Sequence, residues 1–188
     1  MKMKKELKIF DIDETLFETT AKIRVVKDGE VLRALTNQEF NDYELKSGED
    51  FDFSEFKNAE KFNAESKPIT KVFKLAKDLI EKGEAVTIIT ARANFDNKEV
   101  FLDTFRKYGL DIDKVYIYRV GNTPNTISPA KKKATLVKQL LQKHKYNKVS
   151  LFDDSVSNLK EFLNLKQDYA TVEFEAMLAK DGKVELFA

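Results

Sequence analysis

Asp11 and Asp13 lie one isoleucine apart in the run LKIFDIDETLF, where a short apolar stretch ends. Side chains alternate along an extended chain, so both carboxylates can project to one side. Like charges that close repel, and a cation, a shared proton or open water must relieve them. Two more carboxylates, Asp153 and Asp154, end the apolar run KVSLFDD. Thr90 ends AVTIIT and is followed by Ala91 and Arg92, and a helical stretch before the last acidic pair opens with Lys131, Lys132 and Lys133. Carboxylates, a hydroxyl and an ammonium together suit phosphoryl transfer to a carboxylate. One aspartate attacks phosphorus and water later releases the phosphate. The attack brings an anion onto an anion, so Mg²⁺ on hard oxygen ligands is needed to screen it. The hydroxyl and ammonium hold phosphoryl oxygens. A second carboxylate two residues beyond the nucleophile can protonate the leaving oxygen and then deprotonate water.

The elements that must bring these residues together can be read from the pattern. LKIF, AVTIIT (85–90), KVYIY (114–118) and KVSLFD (148–153) are short, rich in β-branched or aromatic residues and not cleanly alternating, as strands buried on both faces are. Helical patterns separate them. PITKVFKLAKDLIEKG predicts an amphipathic helix over 68–82. NKEVFLDTFRKYG carries Val100, Phe101, Phe105 and Tyr108 at helical spacing and stops at Gly109. In SPAKKKATLVKQLLQKHKYN, Ser128 caps, Pro129 suits the first turn, and Leu136, Val137, Leu140 and Leu141 form the stripe. Strands alternating with helices imply an α/β fold, a Rossmann-like parallel sheet flanked by helices. Ligands in such sheets sit beyond the C-terminal strand ends, and Asp11, Thr90 and Asp153-Asp154 all fall there. Asp111 and Asp113 precede a strand, so they fall at the opposite edge.

Residues 18–66 break this rhythm. KIRVVKDGEVLRAL reads as a hairpin around Asp28-Gly29, and a Phe-rich segment with rings at 40, 51, 53, 56 and 62 follows. This is too long for a plain connection and is expected to be an inserted cap. The core is then 1–17 plus 67–188, with a C-terminal β-hairpin around Asp181-Gly182.

Composition narrows the classes. The 188 residues suffice for one domain with a core. Lys plus Arg is 33 and Asp plus Glu 32, so no global field advertises nucleic acid or an acidic membrane. There is no cysteine, which excludes thiol catalysis and thiolate metal sites. The single histidine, His144, falls at a helix end and is expected at the surface, which disfavours Ser-His-Asp hydrolysis. The basic start MKMKKELKIF lacks the apolar stretch of a leader, and no run reaches the roughly 18 apolar residues of a membrane span. A cytoplasmic location is expected.

DIDET resembles motif I of the haloacid dehalogenase (HAD) superfamily of phosphohydrolases. Thr90 resembles motif II, the lysine run motif III, and FDDS motif IV, all in family order. The resemblance implies that Asp11 is the nucleophile and Asp13 the general acid/base. It implies an Mg²⁺ site of Asp11, the Asp13 backbone carbonyl, Asp153 and Asp154, and a phosphate grip from Thr90, Ala91 and a lysine, with Lys133 preferred to Lys132. Glu14 stands where many members have glycine, and it could narrow access or alter the turn. Motif order is unlike that of a phospho-receiver domain, and no P-loop is present. Dehalogenases lack the second aspartate. A phosphomutase and a non-catalytic binding protein of the same fold stay open as alternatives.

For the substrate the expectation is a phosphorylated small molecule or nucleotide, with a nucleic-acid end as one form. Arg92 near the site, Arg24 with Lys27 and Arg33 in the insert, and Arg119 and Asn122 in YRVGNTPN are the candidate contacts. The phenylalanines are read as the insert's own core. Around TAR and FDD the chain resembles the 3′-phosphatase modules of phage polynucleotide kinases, and overall it resembles small-cap phage-encoded HAD proteins.

Overall fold

The computed structural model describes residues 5–124 and 126–188. Residues 1–4 of the basic start, Asn125 of YRVGNTPN and the side chain of Asn41 lie outside that description.

The chain runs β1 (Glu6–Phe10), β2 (Phe17–Glu18), β3 (Ile23–Lys27), β4 (Glu30–Leu35), α1 (Asn37–Asp42), β5 (Asp50–Asp52), α2 (Ala59–Glu65), β6 (Lys67–Pro68) and α3 (Thr70–Glu81). It continues through β7 (Ala85–Thr90), α4 (Lys98–Arg106), β8 (Tyr116–Arg119), α5 (Pro129–Lys143), β9 (Lys148–Asp153), α6 (Val156–Asn164), β10 (Glu173–Lys180) and β11 (Lys183–Leu186).

The main sheet has the order β11-β10-β9-β1-β7-β8, parallel except for β11. From β1 the chain builds outward through β7 and β8, then returns to add β9 on the other side. The reversal opens a crevice between β1 and β9, the place where such sheets bind ligands. Asp11 and Asp153 end those two strands, and the register Phe10↔Phe152 puts them level.

Alternation along the strands sorts the core onto two faces. Phe10, Ile88 and Phe152 pack against α3 and α4 with Phe17, Phe73, Phe101 and Phe105. Ile9, Ile89 and Leu151 pack on the other face with Val137, Leu140, Leu159 and Phe162 of α5 and α6. At about 1.5–3 kcal/mol per buried large side chain, these layers hold the strand ends in register. The sequence-expected elements are present with small shifts. The third core strand runs Tyr116–Arg119 instead of 114–118, because Ile112–Lys114 form a 3-10 turn. Ser128 accepts a hydrogen bond from Lys131 N and Pro129 takes the first turn of α5. The C-terminal hairpin joins the main sheet through β10 beside β9.

The segment between β2 and β6 forms a second, antiparallel sheet of order β4-β3-β5. Asp28 and Gly29 both have positive φ, 51° and 82°, as the tight turn demands. Ile23, Val25 and Leu35 make a small core with Phe40, Tyr43, Phe51 and Phe56. The sequence pattern does not mark β5 or the helices α1 and α2. Thr36 and Glu39 form a reciprocal capping box at the start of α1. Phe62 of α2 does not join the small core. It packs in the main one, edge-on to Phe17 at 5.5 Å and tilted against Phe95 at 5.2 Å. His144 caps the C-terminus of α5 and is half-buried beside Tyr146.

Candidate active site

Asp11 follows β1 directly, and its backbone N–H donates to the Phe152 carbonyl at 3.0 Å, tying it to β9. Three carboxylates, of Asp11, Asp153 and Asp154, converge so that one oxygen of each lies within 4.8 Å of the others. The Lys133 ammonium sits between two of them, donating to Asp11 Oδ1 at 2.7 Å and to Asp153 Oδ2 at 2.9 Å. Thr15 donates to Asp11 Oδ2 at 3.3 Å. Asp153 also accepts from the Ser155 backbone at 2.9 Å and from Asn158 Nδ2 at 2.9 and 3.1 Å.

Three carboxylates therefore face one ammonium. The imbalance shows in the titration. Burial and the Asp153 charge push Asp11 up to about 7. Burial, with Asp11 and Asp153 alongside, pushes Asp154 up to about 9. Burial alone would lower Lys133, but the Asp11 and Asp153 carboxylates outweigh it and raise its pKa. Oxygen donors only, in excess negative charge, are what a hard divalent cation requires, so the residues fit the metal that the sequence implied.

Asp13 has a different partner. Arg92 Nε donates to Asp13 Oδ2 at 2.9 Å and Arg92 Nη2 to Oδ1 at 2.6 Å, a bidentate clamp. The Thr19 hydroxyl donates to Asp13 Oδ1 at 2.8 Å. Arg92 Nη1 donates to the Phe56 carbonyl at 2.9 Å, and the guanidinium lies over the rings of Phe56, Phe62 and Phe95 at 4.7–5.2 Å. Burial would raise the Asp13 pKa, but the Arg92 charge and hydrogen bonds hold it below its ordinary value. Its stabilising contribution is thus present above the ordinary carboxylate range and lost as pH falls through the lowered native value. Arg92→Met keeps an apolar stem and strands Asp13. It is expected to cost roughly 3 kcal/mol in urea unfolding. Wild-type stability in that variant would mean that the pair holds nothing.

Glu14 adopts φ 59°, a conformation glycine takes freely. Its carboxylate accepts from the Thr19 backbone N–H at 3.1 Å, which anchors the turn, and burial raises its pKa. Thr90 is fully buried at the end of β7 and its hydroxyl accepts the Arg92 N–H at 3.1 Å. Ala91 is exposed beside it.

Other expected residues turn elsewhere. Lys132 donates to the Thr123 carbonyl at 3.0 Å. Arg24, expected near substrate, pairs with Glu55 at 2.8 Å. Asn122 accepts from Asn94 N and donates to Asn94 Oδ1, both at 2.9 Å, lacing the loop after β8 to the loop after β7. Gly121 makes that lacing possible, since a Cβ there would lie 2.4–2.5 Å from Ala91 O, Ala93 N and Arg92 C. Nothing in the sequence pattern singles out Gly121 or Thr19. Asn158, also missed by sequence reasoning, carries a usable signal, one turn into the helix after the acidic pair.

A mainly parallel α/β sheet with a carboxylate cluster beyond its central strands is the architecture of a HAD-like phosphohydrolase. Residues 33–176 match the family described as HAD superfamily, subfamily IIIB (acid phosphatase). The chain belongs to that family and is a HAD-type phosphatase, a hydrolase of phosphomonoesters. The matched span begins after the Asp11–Thr15 segment. The fold is similar to the HAD domain of effector protein Lem4 from Legionella pneumophila, with a TM-score of 0.57 and 17% identity, covering 95% of this chain and 88% of that one. No curated protein matches by sequence. Among the described residues no helix is long and apolar enough to cross a membrane.

Proposed function

We propose that the protein hydrolyses phosphomonoesters through a phosphoaspartate on Asp11, with Mg²⁺ held by Asp11, Asp153, Asp154 and the Asp13 backbone carbonyl. The observation that carries this reading is the convergence of three carboxylates, two of them paired with one buried lysine, at the sheet's reversal point. When bound, the cation screens the anionic attack and draws charge from the phosphoryl oxygens.

The chain's own residues supply the rest. Thr15 and Lys133 fix the two Asp11 oxygens, so the attacking one is aimed along a set line. Attack forms the Asp11–phosphorus bond and breaks the bond to the ester oxygen. Asp13 must first take up a proton against the Arg92 charge that holds it ionised; it gives that proton to the leaving oxygen, then accepts one from the water that cleaves the phosphoaspartate. The Thr90 hydroxyl, the Ala91 backbone N–H and Lys133 hold the phosphoryl oxygens. Arg92 acts by positioning Asp13, and Asn122 by bracing the loop that carries Thr90 and Arg92. Residues 18–66 are the cap. They meet the site through the Thr19 hydroxyl on Asp13 and the Phe56 carbonyl on Arg92, and Arg24 stiffens them through Glu55. The leaving group departs on the Asp13 side, beside that aromatic rim, which suits a nucleotide or a nucleic-acid end.

Phosphate release from aryl phosphate, sugar phosphates, nucleoside monophosphates and 3′- or 5′-phosphorylated oligonucleotides tests this. Release with Mg²⁺ that stops on chelation is expected. Mg²⁺ should also raise the melting temperature by several degrees, because it binds only the folded cluster. A folded protein whose melting point ignores Mg²⁺ and which frees no phosphate would sink the reading.

A further inference from the structure

Arg119 ends β8 and is the register partner of Thr90 on the neighbouring strand. Its guanidinium is half-buried over the Phe101 ring at 5.3 Å, and Nη1 reaches the Ile117 carbonyl at 3.4 Å. Among the described residues it forms no ion pair, and burial lowers its pKa. Arg24, Arg92 and Arg106 by contrast each meet a carboxylate within 2.8 Å. A half-buried cation held by a ring face and one carbonyl, with no counter-charge among the described residues, is placed to take an anion from solvent.

The surroundings hold it in place. Phe101 stacks on Phe95 at 4.2 Å with rings 14° apart, and Arg92 lies over Phe95 at 5.2 Å. Arg119 thus forms the outer end of a cation–ring stack whose inner end clamps Asp13. Immediately beyond it, Gly121 and Asn122 pin the backbone to the Ala91–Asn94 loop. Neighbouring strands are about 4.8 Å apart and register partners share a face, so Arg119 starts one strand away from Thr90 on the same face of the sheet, a separation that a substrate with two phosphates can span.

We propose that Arg119 receives a second phosphate of the substrate, so that the enzyme acts on a monoester whose organic part carries another phosphate. This rests on the phosphoryl site assigned above to Thr90. The test compares p-nitrophenyl phosphate, a nucleoside 3′,5′-bisphosphate, and dinucleotides phosphorylated at either end. Arg119→Gln should leave p-nitrophenyl phosphate turnover within about twofold and lower kcat/KM for a substrate with a second phosphate by about tenfold or more, chiefly through KM. Arg119→Lys should recover part of the loss. Wild-type turnover of those substrates should fall more steeply with salt than that of p-nitrophenyl phosphate, and Arg119→Gln should erase the difference. Preference for the bisphosphate would identify a small molecule as the source of the second phosphate, and preference for a dinucleotide a strand end. Equal losses on all esters would make Arg119 structural and overturn the inference, as would no loss on any. Wild-type silence on every ester would instead overturn the phosphatase mechanism at Asp11, and the inference with it.

Discussion

Asp11→Asn is expected to lower phosphate release by about 10⁴-fold or more while the protein stays folded. The substitution keeps the shape of the side chain and removes the carboxylate proposed as the nucleophile. Its effect on stability has a definite sign. In the native protein burial and the Asp153 charge push Asp11 up to about 7, against an ordinary carboxylate value of 3.8. Between those values the unfolded chain has lost the proton and the folded chain still holds it, so stability falls as pH rises through the window. Asp154, raised to about 9, acts in the same direction over a wider range. Without metal at about pH 8, Asp11→Asn should therefore melt no lower than wild type, whereas Mg²⁺ should stabilise wild type more. Melting curves from about pH 5 to pH 9, with and without Mg²⁺, read all of this. Retained hydrolysis would show that Asp11 is not the nucleophile, and a variant that melts well below wild type in the absence of metal would show that the carboxylate cluster is not what strains the apoprotein.

Gly121→Ala should lower kcat/KM by roughly 10²-fold, although Gly121 is not expected to touch the substrate. The added Cβ would lie 2.4 Å from the Ala91 carbonyl oxygen and 2.5 Å from Ala93 N and Arg92 C. Those contacts are with backbone, which cannot rotate away. Either the loop after β8 or the loop after β7 must move, and the second carries Thr90 and the Arg92 that clamps Asp13. Overpacking should cost about 1–3 kcal/mol as well. A control separates the two effects. Gly29 has φ 82° and open space around its missing Cβ, so Gly29→Ala should lose about 1 kcal/mol to backbone strain and leave hydrolysis unchanged. If Gly121→Ala loses stability alone, the two loops do not act as one unit.

Locally encoded features are legible in the chain. Short, near-continuous apolar runs mark the four core strands, because a strand buried on both faces must be apolar on both. Asp28-Gly29 and Asp181-Gly182 mark two hairpins, because the tight turn needs positive φ at both positions. Ser128-Pro129 marks the start of α5 through the free N–H groups of a first turn. The placement of Asp11, Thr90 and Asp153-Asp154 at strand ends follows from strand direction, so residue order alone locates the acidic site at one edge of the sheet.

Choices between neighbours, and pairings across the chain, depend on tertiary packing. Lys132 and Lys133 are about 100° apart around α5, and the seating of that helix on the sheet sends Lys133 to Asp11 and Lys132 to the Thr123 carbonyl. Arg92 looks like a substrate contact because it follows Thr90. Only the fold shows it bonded to Asp13, 79 residues earlier. Phe62 reads as one of a row of rings in the insert, yet α2 lays it in the main core against Phe17. Gly121 carries no pattern at all, since the need for a missing Cβ arises only where two distant backbones meet. Chemistry that depends on residue type and strand direction is written locally. The partner of each charge is decided by which elements the core brings together.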